Sequence, residues 1–131
     1  FKDKINLLDV DHSAVDWNGK KQKDTSGEEN TIAIPGFEKV TLYANETTQA
    51  VNFHNPEIND CYFKISLIHP DGSVLWISDL IEPGKGMYSI ELEKTLAVGE
   101  YENAVLKYEC FSLNDQSPLN GSEINLKLVV V

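Results

Sequence analysis

The chain has 131 residues, a length that suits one domain with one core. Its 11 basic residues, all lysine, face 21 acidic ones, for a net charge of −10. That balance excludes a nucleic-acid partner and disfavours anionic lipid, since both require a basic footprint. A hydrophobic fraction of 41% excludes a disordered chain, and no apolar run approaches the length of a membrane span.

Residues 1–30 read as a polar N-terminal tail or linker. The stretch from Lys20 to Asn30 contains no apolar residue and cannot supply a core face. Upstream of it, Ile5, Leu7, Leu8 and Val10 form a small apolar patch that can pack on the domain or on a neighbouring chain. The chain starts at Phe1, and the expectation is that a signal or membrane-anchor segment preceded it.

From Thr31 to the C-terminus, residues 31–131, short apolar runs recur between turn residues every eight to twelve positions, the pattern of a sandwich or barrel. Thr31–Ile34 is expected as a strand stopped by Pro35-Gly36, and Lys39–Ala44 as the next. Gln49–Phe53 follows the turn Asn45-Glu46-Thr47. Cys61–His69 alternates most clearly: Cys61, Phe63, Ile65 and Leu67 share one face, and Tyr62, Lys64 and Ser66 the other. Pro70-Asp71-Gly72 supplies the fixed and the positive φ of a tight hairpin turn, after which Val74–Ser78 returns with Trp76. Met87–Leu92 is the next strand. Leu96, Gly99 and Tyr101 have the spacing of a tyrosine corner, in which the hydroxyl bonds back to upstream backbone. Asn103–Phe111 places Ala104, Leu106, Tyr108 and Cys110 on one face. Asn114–Gly121 reads as a polar loop, and Ser122–Val131 as the last strand. These are about eight strands and no helix. The fold class is all-β, an immunoglobulin-like antiparallel β-sandwich of about seven to eight strands.

Cys61 opens one strand and Cys110 lies near the end of another, both in the apolar parity. If those strands are antiparallel neighbours, a disulfide is allowed provided the Cα atoms come within about 7 Å. Closing so long a loop would stabilise by roughly 4 kcal/mol on the chain-entropy account. The other reading is two buried reduced cysteines acting as small hydrophobes.

The runs Ile32-Ala33-Ile34-Pro35-Gly36-Phe37, Val51-Asn52-Phe53-His54-Asn55-Pro56 and Cys61-Tyr62-Phe63 resemble a family of exported proteins of Gram-positive anaerobic bacteria. So do Leu80-Ile81-Glu82-Pro83-Gly84-Lys85-Gly86, Leu106-Lys107-Tyr108-Glu109-Cys110 and, in the tail, Asp16-Trp17-Asn18-Gly19. The resemblance runs from about Asp16 to the C-terminus. It implies an extracellular, cell-surface location, a membrane anchor ahead of a polar linker, and a sandwich domain. It supplies no established activity and no catalytic residue.

Searches for chemistry lead to no site. His12, His54 and His69 are widely spaced and no Cys-x-x-Cys exists, so no metal set is assigned. Asn59-Asp60, Asp71 and Asn114-Asp115 place oxygens in loops without calcium-loop spacing. The Gly-x-Ser-x-Gly elbow and the phosphate-binding loop are both absent. No catalytic residue and no cofactor are therefore assigned, and the chain is read as a non-enzyme. The expectation is an interaction module with an unknown protein or glycan partner at the cell surface. The alternative is a carbohydrate-binding module using exposed rings, with Trp17, Tyr62 and Trp76 as candidate ligand-contact aromatics and Tyr43 and Phe111 as further rings.

Overall fold

The computed structural model describes residues 9–16 and 39–131. Eight strands occupy them: β1 (Val15–Asp16), β2 (Lys39–Leu42), β3 (Thr48–His54), β4 (Cys61–Ile68), β5 (Val74–Ile77), β6 (Lys85–Glu91), β7 (Gly99–Ser112) and β8 (Pro118–Val130). Among the described residues there is no helix. A three-stranded sheet of order β1-β6-β3 faces a five-stranded sheet of order β2-β8-β7-β4-β5, and one apolar core draws side chains from both. The chain is an all-β, two-sheet sandwich. The expected strand Thr31–Ile34 and the aromatic Trp17 lie outside the described residues.

Alternation makes the centre of the larger sheet. β4 and β7 pair antiparallel without a slip from Cys61 opposite Ser112 to Ile68 opposite Val105. Phe63, Ile65 and Leu67 on β4 and Ala104 and Leu106 on β7 are fully buried. The rings of Phe63 and Tyr108 meet edge to face with centroids 5.1 Å apart. Each such large side chain taken out of water contributes about 1.5–3 kcal/mol.

Four features depart from the expected pattern. β2 lies parallel to β8, with Lys39 opposite Lys127 and Leu42 opposite Val130, so the sheet is mixed rather than wholly antiparallel. A parallel neighbour needs a long crossover, and here the whole intervening domain provides it. Part of the assigned tail belongs to the sandwich: Val10 bridges Leu80, β1 pairs with β6, and Lys85 Nζ meets Asp16 Oδ1 at 2.6 Å. Polar spacing hid this segment, because a two-residue edge strand buries almost nothing. Half of the predicted loop 114–121 is strand, since β8 begins at Pro118. Its bulge near Gly121 is obligatory for glycine, because a Cβ there would sit 2.3 Å from the Tyr108 carbonyl oxygen. Finally, Leu75 and Trp76 are consecutive yet both buried, since a register shift opposite Leu67 and Ile68 turns two neighbours inward.

Two amides tie the sheets together. Asn55 is fully buried where β3 ends; its Nδ2 donates to Cys61 O (2.8 Å) and Ile81 O (2.9 Å). Its Oδ1 accepts from Asn59 Nδ2 at 2.9 Å. Its backbone N–H donates to Lys85 O, and its carbonyl accepts from Gly84 N. The side chain therefore satisfies the carbonyl at the start of β4 in one sheet while the backbone holds β6 of the other. Gln49, 2% exposed, closes the β2–β3 turn: Nε2 donates to Tyr43 O and Glu46 O, and Oε1 accepts from Tyr43 N. Beside that turn, where Asn45 N donates to Leu96 O, the Tyr101 hydroxyl donates to Ala97 O at 2.7 Å, the back-bond of a tyrosine corner anchored by buried Leu96.

Leaving a buried carbonyl unsatisfied costs about 1–3 kcal/mol. Asn55→Ala removes the donor to Cys61 O, while Ile81 O keeps the Phe63 N–H, so it is expected to lower stability by about 1–3 kcal/mol in urea unfolding. Tyr108 presents the opposite case. Its hydroxyl is buried with no hydrogen-bond partner among the described residues, and desolvation pushes its pKa well above the usual value. Tyr108→Phe is expected to raise the urea midpoint, by about 1 kcal/mol in stability. An unchanged or lowered midpoint would show that the hydroxyl is satisfied.

Candidate binding surface

The outer face of the five-stranded sheet collects most of the side chains that the alternation leaves outside. In register across β4 and β7, Tyr62 stands opposite Phe111, Lys64 opposite Glu109, Ser66 opposite Lys107, and Ile68 opposite Val105. β8 adds Pro118 beside Phe111, Glu123 beside Lys107 and Asn125 beside Val105. β5 adds Val74 beside Ile68 and Ile77 beside Ser66, both nearly half exposed. The face thus has an aromatic and apolar row at one end, Tyr62–Phe111–Pro118, and an aliphatic row at the other, Val74–Ile68–Val105. Charged rows lie between them.

An open groove of about 470 Å³ follows the β7–β8 bulge, with Phe111, Pro118, Leu119, Lys107, Glu109 and Glu123 among its lining. It continues the aromatic row onto the projecting hairpin, where Leu113 and Leu119 are about 40% exposed. A smaller opening of about 290 Å³ lies between the edges of β2 and β3, over Val40 and Phe53.

Charge is distributed unevenly. The outer face holds Lys39, Lys64, Lys107 and Lys127 against Glu100, Glu102, Glu109 and Glu123, and is neutral. Lys127 Nζ bridges Glu100 (3.1 Å) and Glu102 (3.5 Å), which raises the lysine's pKa. Of the remaining described residues, twelve are acidic and only Lys85 and Lys94 oppose them. Among the described residues the net negative charge therefore lies off this face.

The residues singled out from sequence fall differently. Tyr62 is half-buried on the outer face, directly opposite Phe111 in the β4–β7 register. Trp76 is no ligand-contact ring: it is 7% exposed and packs on Phe53 from the other sheet, centroids 5.7 Å apart. Cys61 and Cys110 are both reduced and buried, which corrects the expected disulfide. The strands are antiparallel neighbours, but Cys61 stands opposite Ser112 and Cys110 opposite Phe63. Residues displaced by two positions on facing strands lie about 7–8 Å apart, beyond the usual reach of a disulfide. The thiols still meet as a hydrogen-bonded pair, which lowers the Cys61 pKa and raises that of Cys110. The loop oxygens considered for calcium serve turns. Asn59 belongs to the Asn55 network, and Asp115 Oδ1 accepts from Ser117 N. Asp71 Oδ1 accepts from Ser73 N and Oγ, which holds its carboxyl down at about 2. Among the described residues no three His, Cys, Asp or Glu side chains converge as a metal site.

Phe111 was visible as a ring and Tyr62 as a wet-face residue, but their pairing needed the β4–β7 register. The aliphatic row was missed, because single outward Ile and Val residues carry no signal until neighbouring strands align them. Two buried reduced thiols should be silent to Ellman's reagent in the folded protein and give two equivalents in denaturant. Fewer than two after unfolding without reductant would restore the disulfide.

No protein-family model, no curated protein and no solved structure matches the chain.

Proposed function

We propose that the chain is a non-enzymatic, immunoglobulin-like interaction module of the bacterial cell surface, extracellular and held through an N-terminal anchor, which meets a protein partner through the outer face of its five-stranded sheet. The location rests on the sequence resemblance. The immunoglobulin-like assignment is supported by the strand order β2-β8-β7-β4-β5 against β1-β6-β3 and by the Tyr101 corner.

The observation that carries the interaction reading is the neutral, apolar-rowed face on an otherwise acidic body. Depletion of net charge combined with aligned aromatic and aliphatic side chains is what distinguishes a docking patch from ordinary surface. Phe111 is the expected anchor, since it sits between Tyr62 and Pro118 and borders the groove.

A second reading has its own observation. Tyr62 and Phe111 form one ring platform beside Lys64 and Glu109, a combination that suits stacking and hydrogen bonding of a single sugar unit. Both readings are tested on the same two proteins. Cross-linking capture from envelope extract with the wild-type chain is expected to retain a discrete protein that Phe111→Lys loses at least tenfold, with both proteins equally folded by circular dichroism. Equal capture by the two, or no discrete binder, counts against the protein-partner reading. A glycan array positive for wild type and blank for Phe111→Lys would establish the carbohydrate reading in its place.

A further inference from the structure

The outer face is self-complementary. Take Ile65 and Tyr108, which stand opposite each other in the middle of the β4–β7 pair, as the centre. On β7, Val105 and Phe111 lie three residues either side of Tyr108, and Lys107 and Glu109 lie one residue either side. On β4, Tyr62 and Ile68 lie three residues either side of Ile65, and Lys64 and Ser66 one either side. Outward residues recur every two positions, so these side chains all project from the same surface.

Now place a two-fold axis in the plane of contact, running across the strands over Ile65 and Tyr108. It superposes each strand on its own copy with the direction reversed. Phe111 then meets Val105 of the second copy, and Tyr62 meets its Ile68, so that apolar row covers apolar row. Glu109 meets Lys107 of the second copy, so the central charges oppose with the correct sign, twice. Lys64 falls over Ser66, which is itself only 4% exposed, so no like charge opposes it. An isologous interface requires this mirror matching about the axis.

We propose that the partner accommodated by this face is a second copy of the chain, docked outer face to outer face about that axis. The proposal deepens the interaction reading and rests on its identification of the face. Charge favours this approach and opposes others: any other pair of faces brings together surfaces from the acidic part of the body, whereas this face carries no net charge. Five strands spaced about 4.8 Å apart and about eight residues long give a projected area of about 600 Å². Side-chain relief raises the accessible area towards the roughly 800 Å² per partner of a standard interface. Two sheets so stacked keep their strands aligned within about 30°, the common sheet-on-sheet arrangement.

The test is sedimentation equilibrium of the wild-type chain, Glu109→Lys, Lys107→Glu and the double exchange carrying both, at physiological salt. Wild type is expected to dimerise. Each single reversal sets like charges opposite each other twice and is expected to weaken the dimer at least tenfold. The double exchange restores opposite signs and is expected to return within threefold of wild type. A wild-type chain that stays monomeric to 1 mM, or a double exchange no better than the singles, overturns the proposal. The interaction reading is untouched by that result, since the Phe111→Lys capture experiment judges it separately. A second measurement needs no variant. In a concentration series, backbone amide shifts are expected to move on β4 and β7 and to stay fixed on β3 and β6. Shifts centred on β3 and β6 would overturn the proposal.

Discussion

The register between β4 and β7 fixes more of this protein than any other interaction. From Cys61 opposite Ser112 to Ile68 opposite Val105 the two strands pair residue for residue, with no bulge to reset the phase. In a pleated pair, a slip of one residue would send every side chain to the other face. A slip of β4 would send Phe63, Ile65 and Leu67 into water and Lys64 into the core; a slip of β7 would do the same to Leu106 and Tyr108, with Lys107 and Glu109 turned inward. Burial of the large hydrocarbons against the cost of buried charge makes that slip prohibitive. The same register decides three further properties at once. It sets the edge-to-face contact of Phe63 with Tyr108, it offsets Cys61 from Cys110 by two positions, and it aligns the outward rows.

Two sheets that share only hydrocarbon could slide over one another, since the hydrophobic effect has no direction. The buried amides remove that freedom. Asn55 satisfies backbone carbonyls at Cys61 and Ile81 while its own backbone pairs with Gly84 and Lys85, so the end of β3 cannot shift relative to the start of β4 without orphaning several buried groups. Gln49 does the same where β2 of one sheet turns into β3 of the other. Net stabilisation per hydrogen bond is only about 1 kcal/mol, but the penalty for breaking one inside the core is larger, and that asymmetry is what fixes the geometry.

Those distinctions explain what was legible in the sequence. Period-two alternation revealed β4, the second half of β7 and the end of β8, because there a strand lies with one face on the core and one outside. Trp76 was misread because a bulge at Leu75 breaks parity, and a bulge leaves no mark in a stretch as apolar as Val74–Ile77. β1 escaped notice since its residues are exposed and its pairing is made by backbone groups that every sequence possesses. The parallel course of β2 beside β8 escaped for a related reason: Lys39–Leu42 alternates identically whichever way its neighbour runs. The face itself was half legible. Alternation named Tyr62, Lys64, Lys107 and Glu109 as outward, yet which of them become neighbours is a property of register, and register follows from tertiary packing.

The charge distribution then acquires a physical sense. A chain of net charge −10 resists non-specific association, and most pairs of its surfaces repel. Concentrating four of the described lysines on one sheet face cancels the glutamates there and leaves the other described residues with a net negative charge. The salt links this creates are exposed and individually weak, worth about 0–1 kcal/mol. Their consequence for folding is therefore small, and a scattered arrangement of the same lysines would stabilise the domain equally well. What the clustering changes is which face another acidic body can approach. In the proposed reading, repulsion between the acidic surfaces of the described residues works as a selection rule, and the apolar rows aligned by the β4–β7 register supply the attraction on the neutral face. The fold and the proposed recognition thus draw on a single constraint: the phase that buries Phe63 and Tyr108 is the phase that presents Tyr62 and Phe111 side by side.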